Sequence, residues 1–548
     1  MQEVRQPSQS GRKYILFLIG LWVLIEIMIH PLGEFPLNDD WSYTRSLENL
    51  YRLHTFRLCG FLSMPLIAQL GWGMLFCKLF GFSFFVVRLS TIVLGLVGVV
   101  CSYGIAQELT GNARFAFFTG AIVLVNSLYL NLANSFMTDV PFAAMLWLSM
   151  FCLLKGMRGA GGKYILWGIL FCAIATLIRQ LGLLLIVSWA AVVVVKEGWS
   201  RRSLLTAVGG VAAVAIPYLL YNKLLLHYNG RPLLYDEGFK HIRMNFTNKD
   251  YPFPFFLTKQ VFGTLVYCGW FILPLVFLFR VSRRMLLWYA LTAVVVIGYC
   301  LGTKKVMPFF GNVINPAGVG VTDLRDVMIL HLPNLPLLPH GFWVLMTVAG
   351  AAGAGLLVLA AVQSLRYLRN PRKTIQTEFA AVLLVVFLVL YTGIMLVGGT
   401  FDRYLLPLLP LLCALVGLRL GPAMVFRRTN AGLALVLLIG LAGFSAGETY
   451  NYMSWNRARW TALHYLTDDQ RVSPEKIDGG PAFDGYYLFD DTYNWQEDPH
   501  RKSWWWVKDD EWLVTFGPVE GYRVAREYLY NRWLGASSGT IYILQRTN

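Results

Sequence analysis

The sequence predicts an all-α polytopic membrane protein of about 13 transmembrane helices, followed by a small α/β C-terminal domain outside the membrane. Three observations carry this. Of 548 residues, 56% are hydrophobic and only 14% charged, against roughly 45–50% apolar and about 25% charged in soluble domains. Apolar runs long enough to cross about 30 Å of hydrocarbon recur from the start of the chain to position 447. Beyond 447 the composition turns polar and rich in tryptophan.

The spans follow in order at 14–31, 82–106, 115–133, 138–155, two within 164–196, then 203–226, 256–279, 285–302, 340–363, 379–398, 402–418 and 430–447. The stretch 164–196 is apolar apart from Arg179 and Gln180. As one helix it would measure about 50 Å, too long for a single crossing, so it is split at Gly182. The loops support that split, because cytoplasmic loops collect Lys and Arg. With the N-terminus inside, Arg5, Arg12 and Lys13, Arg114, Lys155, Arg158 and Lys163, Lys196, Arg201 and Arg202, Arg280, Arg283 and Arg284, Arg366, Arg369, Arg372 and Lys373, and Arg419, Arg427 and Arg428 all fall inside, with Glu3, Glu108, Glu197 and Glu378 as the acidic neighbours. These segments account for the whole net charge of +16. The basic excess is therefore an orientation signal and does not point to a nucleic-acid partner. The N-terminus is expected in the cytoplasm and the C-terminus outside the cytoplasmic membrane. The first span lacks a small-residue cleavage site and ends at His30-Pro31, which reads as an uncleaved anchor.

Outside lie 32–81, 227–255, 303–339 and 448–548. The chain thus divides into a membrane domain, 1–447, and a soluble domain, 448–548. In the first outer loop, 41–54 has the pattern of an amphipathic helix. In the C-terminal domain a helix is expected at 455–467 and strands at 483–490, 512–517 and 540–545. Trp455, Trp460, Trp495, Trp504, Trp505, Trp506, Trp512 and Trp533 suit interfacial anchoring and core packing more than stacking on sugars. Cys59 and Cys77 share the first outer loop; two buried thiols are favoured over a disulfide.

Ionisable groups are costly in hydrocarbon. Glu26, Arg88, Asp139, Arg179, Asp402 and Arg403 are such groups, and the last four fall at outer ends of spans. Asp39 and Asp40, in Pro36-Leu-Asn-Asp-Asp-Trp41, stand just above the membrane. Paired carboxylates there suit a general base, since one of two close acids tends to have a raised pKa. The alternative is that they cap the helix that follows. Asp139 likewise reads as a helix cap in Met-Thr-Asp-Val-Pro-Phe. Arg403, Tyr404, Lys304 and Lys305 either snorkel to the interface or hold a lipid phosphate. No P-loop or His-Glu-x-x-His motif occurs, and the eight cysteines form no Cys-x-x-Cys pair. Two Gly-x-Ser-x-Gly matches, at 443–447 and 535–539, lack the strand-to-helix turn of a nucleophile elbow.

Several stretches, taken in order, resemble the GT-C glycosyltransferases. They are Asn-Asp-Asp-Trp-Ser-Tyr at 38–43, 77–89, 137–142, Leu-Ile-Arg-Gln-Leu-Gly at 177–182, Arg-Tyr-Leu-Leu-Pro-Leu-Leu-Pro at 403–410, and Ile-Asp-Gly-Gly at 477–480. More narrowly, the chain is similar to the bacterial branch with lipid A aminoarabinose transferases and protein O-mannosyltransferase relatives. The resemblance implies an inverting transferase that moves a sugar from a polyprenyl-phosphate carrier to an acceptor hydroxyl on a glycan, lipid or protein. In that reading Asp39 or Asp40 is the base, Asp139 shares its cavity and Arg179 stands where relatives often show Lys; Arg179, Lys304, Lys305, Arg403 and Tyr404 are the candidates for the donor phosphate. Where the aminoarabinose transferases carry a Glu-Lys-Pro-Pro-type run, this chain has Leu62-Ser63-Met64-Pro65. That departure leaves lipid A modification and a divalent metal without support. The alternative from another class is a transporter or flippase of a lipid-linked substrate, against which stand the lack of internal repeats and the clustering of acids at one face.

Overall fold

A computed structural model describes residues 9–280, 282–367, 371–490, 492 and 506–547. The chain begins with α1 (Gln9–Ile29), α2 (Asp40–Arg52), α3 (Ile67–Phe80) and α4 (Phe84–Thr110). There follow α5 (Ala113–Leu124), α6 (Ser127–Ala133), α7 (Asp139–Lys155), α8 (Gly162–Ile178), α9 (Leu183–Glu197), α10 (Arg201–Tyr228) and α11 (Glu237–Thr247). The second half holds α12 (Phe253–Ile272), α13 (Arg283–Thr303), α14 (Arg325–Met328), α15 (His340–Tyr367), α16 (Pro371–Gly398), α17 (Leu409–Leu420), α18 (Arg428–His464) and α19 (Pro481–Leu488). A short hairpin, β1 (Ile314–Asn315) with β2 (Gly318–Val319), lies in the 303–339 connection. Near the C-terminus β3 (Ile477–Asp478), β4 (Trp512–Thr515), β5 (Tyr522–Asn531) and β6 (Ser538–Arg546) form one sheet in the order β3-β4-β6-β5, with only β3–β4 parallel.

Ten described helices are long and apolar enough to cross a membrane, eleven if the bent pair α5–α6 counts as one span. The sequence expectation is about 13, and two of those segments are helices that fall short of this measure of length and composition. One of the two that fall short is α8, which has 17 residues. The other is α1, which holds Arg12, Lys13 and Glu26 within its 21 residues. The expected break inside 164–196 is present: α8 stops at Ile178, Arg179 is extended, and a short turn over Gln180–Gly182 opens α9.

The expected strand at 483–490 is a helix, α19. Pro481 follows Gly480, whose φ of 84° leaves the helix start open, and a proline in the first turn is pre-set for helix. The span 430–447 and the helix expected at 455–467 are one element, α18, 37 residues without a break. Strand β5 went unrecognised because its arginines and glutamate interrupt any alternation. Trp495, Trp504 and Trp505 lie outside the described residues. Trp455 and Trp460 are buried in α18, and Cys59 and Cys77 are both buried with no disulfide between them.

Polar groups inside the bundle hold the turns in place. The side chain of Arg88 in α4 is buried, and it donates to the carbonyls of Pro31 (2.6 Å), Gly33 (3.1 Å) and Phe35 (2.9 Å), pinning the chain between α1 and α2. The 59° bend between α5 and α6 leaves the Val125 carbonyl without a helical partner, and the Ser445 hydroxyl of α18 donates to it at 2.7 Å. The Trp147 indole of α7 donates to the Pro407 carbonyl at 3.0 Å.

Helices α12 and α15 approach so closely that a Cβ at Gly353 would collide with the Gly269 backbone and one at Gly350 with Val266. This is the small-residue contact that lets membrane helices pack by van der Waals forces alone. Gly353→Val should lower stability by about 1–3 kcal/mol through overpacking. Gly440→Val, at a position with open space around it, should not. Thermal unfolding in detergent compares the two.

Candidate active site

Asp39 and Asp40 are equivalent in sequence and opposite in structure. Asp40 is 3% exposed. Its Oδ1 accepts the backbone N–H of Leu37 at 2.6 Å, and its Oδ2 accepts that of Phe136 at 2.8 Å. Both oxygens are thus committed to holding the start of α2 against the turn before α7. Burial pushes the carboxyl up to about 7, opposed by these two amides and by Arg88. Asp39 takes the N-cap position of α2 but makes no side-chain cap bond. Its carboxylate is 32% exposed, and Oδ2 lies 3.5 Å from Nη2 of Arg403.

Asp139 opens α7, and its Oδ1 pairs with Nη1 of Arg179 at 2.6 Å. Its other oxygen, Oδ2, is buried without a partner. The break between α8 and α9 puts Arg179 there, since a continuous helix would bury the guanidinium in hydrocarbon. The Tyr404 ring lies 4.9 Å from the Arg179 guanidinium and 5.6 Å from that of Arg403, so one π face serves two like charges. The Tyr391 hydroxyl donates to the Tyr404 carbonyl at 3.1 Å.

Arg403 is 8% exposed, and its Nε and Nη1 are buried without a partner. Its neighbour Asp402 is fully buried and accepts three backbone N–H groups, from Ile314 (2.6 Å), Arg403 (2.7 Å) and Val313 (3.3 Å). Asp402 therefore fastens β1 of the 303–339 connection to the turn that presents Arg403. Carboxylates held this way are satisfied by oriented amides in place of water.

The structure thus brings together Asp39, Asp139, Arg179, Arg403 and Tyr404, with Asp40 behind them. Lys304 and Lys305 are exposed at the end of α13. Among the described residues they share no hydrogen bond, ion pair or ring contact with the cluster, and Lys305 instead lies close enough to Lys259 of α12 to repel it. Sequence reasoning missed Tyr43. It is buried one turn after Asp39, within electrostatic reach of Asp39, Asp139, Arg179 and Arg403, and burial raises its hydroxyl pKa. The i, i+4 spacing from Asp39 was the available signal. Among the described residues no three His, Cys, Asp or Glu side chains are placed to share a metal ion. A cavity of about 580 Å³ lined by Tyr14, Asn112, Arg114 and Phe426 lies at the opposite end of the spans and contains no carboxylate.

A partly exposed carboxylate next to a cation with two uncommitted, buried donors can take a proton while an anion is held beside it.

Residues 70–221 match the family described as dolichyl-phosphate-mannose-protein mannosyltransferase, a stretch that includes Arg88, Asp139 and Arg179 and excludes Asp39 and Arg403. Over that segment the resemblance to GT-C glycosyltransferases read from the motifs is met. Among solved structures, ArnT from Cupriavidus metallidurans bound to undecaprenyl phosphate aligns over 98% of this chain and 98% of its own, with 16% identity and a TM-score of 0.46. Its apo form gives the same coverage and a TM-score of 0.43. The arabinosyltransferase EmbB from Mycobacterium smegmatis aligns over 82% of this chain and 42% of its own, with 14% identity and a TM-score of 0.31. No curated protein matches the chain by sequence.

Two substitutions separate support from chemistry. Asp40→Asn replaces an acceptor oxygen by a donor and should cost about 1–3 kcal/mol of stability. Between an unfolded value of 3.8 and a folded value of about 7 the folded chain holds the extra proton, so stability falls as pH rises from about 4 to about 7. Asp40→Asn should flatten that slope in a pH series of unfolding curves. Asp402→Ala should speed hydrogen exchange at the Val313 and Ile314 amides by about tenfold or more, as expected when buried donors lose their acceptor.

Proposed function

We propose that the chain is an inverting glycosyltransferase that moves a sugar from a polyprenyl-phosphate carrier to an acceptor hydroxyl at the outer face of the cytoplasmic membrane. The observation that carries this is Asp39: a partly exposed carboxylate beside Arg403, whose Nε and Nη1 donors are buried and uncommitted. The match over residues 70–221 supports a donor in which the sugar is attached to a lipid phosphate.

Asp39 accepts the proton of the acceptor hydroxyl as its oxygen attacks the anomeric carbon from the side opposite the phosphate. The bond from that carbon to the phosphate oxygen breaks, the configuration inverts, and the lipid phosphate leaves with the electron pair. Charge grows on the departing phosphate in a site of low dielectric, where Arg403 stabilises it strongly. Arg179, held by Asp139 and backed by Tyr404, adds a second fixed positive charge. A phosphate that engages Arg403 also draws it from Asp39 and leaves that carboxylate open to the acceptor. Glycan, lipid and protein acceptors all present a hydroxyl to the same base.

The outer-face assignment rests on charge. Asp39, Asp139 and Asp402 gather at one end of the spans, while Arg114, Arg158 and Arg419 mark the other. With that orientation the N-terminus is cytoplasmic, and 448–548, folded partly around the far half of α18, forms an extracytoplasmic domain above the membrane domain of 1–447.

Proteoliposomes given a labelled polyprenyl-phosphate sugar and candidate hydroxyl acceptors test the reading. Asp39→Asn should reduce transfer by about 10²–10⁴-fold, the range of a lost general base, with unfolding temperature unchanged. Arg403→Lys should raise the KM for the donor, because a point ammonium cannot reproduce the planar fork. Full activity in Asp39→Asn would remove Asp39 from the mechanism. Movement of the labelled lipid across the bilayer without a glycosidic product would identify a transporter instead.

A further inference from the structure

The far half of α18 carries a companion along its length. The guanidinium of Arg526, in β5, lies 4.2 Å from the Tyr465 ring. Seven residues on, the Trp533 ring stacks on Tyr450 at 4.2 Å and 12°. Seven extended residues span about 23 Å, and the fifteen residues back from Tyr465, just past the end of α18, to Tyr450 span about 22 Å. The match means that the β5–β6 hairpin runs antiparallel along α18, with its turn directed toward the membrane-spanning half.

The turn meets the helix at a definite height. Trp533 donates its backbone N–H to Asn451 Oδ1 at 2.8 Å, Asn451 Nδ2 donates to the Leu534 carbonyl at 3.1 Å, and Leu534 packs on Gly447. From Arg428 to Gly447 α18 rises about 30 Å, the thickness of the hydrocarbon core. Below that point Leu433, Val436 and Ile439 are exposed on α18, as a lipid-facing surface requires. The hairpin turn therefore begins where the hydrocarbon ends. Trp533 is 45% exposed there, an amphipathic ring at the depth that favours tryptophan, with Arg532 beside it.

We propose that the β5–β6 turn, residues 532–537, is a bilayer anchor that rests in the phospholipid headgroup layer next to α18. The occupant is the lipid leaflet itself, because the turn continues the lipid-facing surface of α18. Its role is to fix the height of the sheet, and with it α19, whose Gly485 packs on Trp41 of α2 next to Asp39.

The full chain in phosphatidylcholine and phosphatidylglycerol nanodiscs tests this, with a fluorophore on Ala536→Cys at the turn or on Val524→Cys at the far end of β5. Unsubstituted protein serves as the blank for its own cysteines. Doxyl lipids should quench the label at 536 several-fold more than at 524, and aqueous iodide should give the reverse. Equal quenching at the two positions would overturn the proposal. Adding Trp533→Ala to Ala536→Cys should bring lipid quenching down toward the level at 524, and unchanged quenching would overturn the role given to Trp533. Ser537→Cys, also exposed, replaces Ala536→Cys if that variant does not fold.

Discussion

The Asp40 carboxylate joins two parts of the chain nearly a hundred residues apart, accepting Leu37 N–H on its own side and Phe136 N–H across the gap. In a wet loop such bonds would trade with water and add little. Here the group is almost fully buried, so leaving either amide unpaired costs the whole desolvation penalty. The turn before α7 is thereby brought against the start of α2, and Asp139 and Asp39 come to the same place. Arg88 works from the other side, holding three carbonyls of the preceding segment. Two charged residues that look misplaced in a membrane protein turn out to be the fasteners of this polar junction.

The same economy governs the arginines. Arg179 and Arg403 carry like charges in a region of low dielectric, where mutual repulsion is large. Asp139 neutralises one, Asp39 stands near the other, and the Tyr404 ring faces both. Asp402 adjoins Arg403 in the chain, but its oxygens are engaged by three backbone amides. Adjacent residues in one short motif thus divide between architecture and electrostatics, as Asp39 and Asp40 do.

Much of this was legible in the sequence. A helix near 41–54, a break within 164–196, and the gathering of acids at one end all follow from hydropathy, helix length and the distribution of lysine and arginine. What the sequence could not separate was Asp39 from Asp40, since the difference lies in Phe136, a partner remote in the chain. The strand expected at 483–490 failed because its apolar residues fit either period, and Pro481 after Gly480 decided for helix. The boundary near 447 marks a change in surroundings while the backbone of α18 continues through it. Lys304 and Lys305 have the charge expected of phosphate ligands, but they cap a helix, α13, whose sides are mostly exposed, so composition alone placed them too near the centre.

The unbroken α18 makes the protein a lever as well as a scaffold. It is about 55 Å long, and more than a third of it stands clear of the hydrocarbon. Tilting such a rod by one degree swings its far end through about 1 Å. Near that end Arg459 pairs with Asp323 at 3.1 Å, on the same connection that Asp402 fastens beside Arg403. A bilayer that thins or thickens changes the tilt of the helices that cross it. Through that connection a change in the tilt of α18 bears on the turn that presents Arg403.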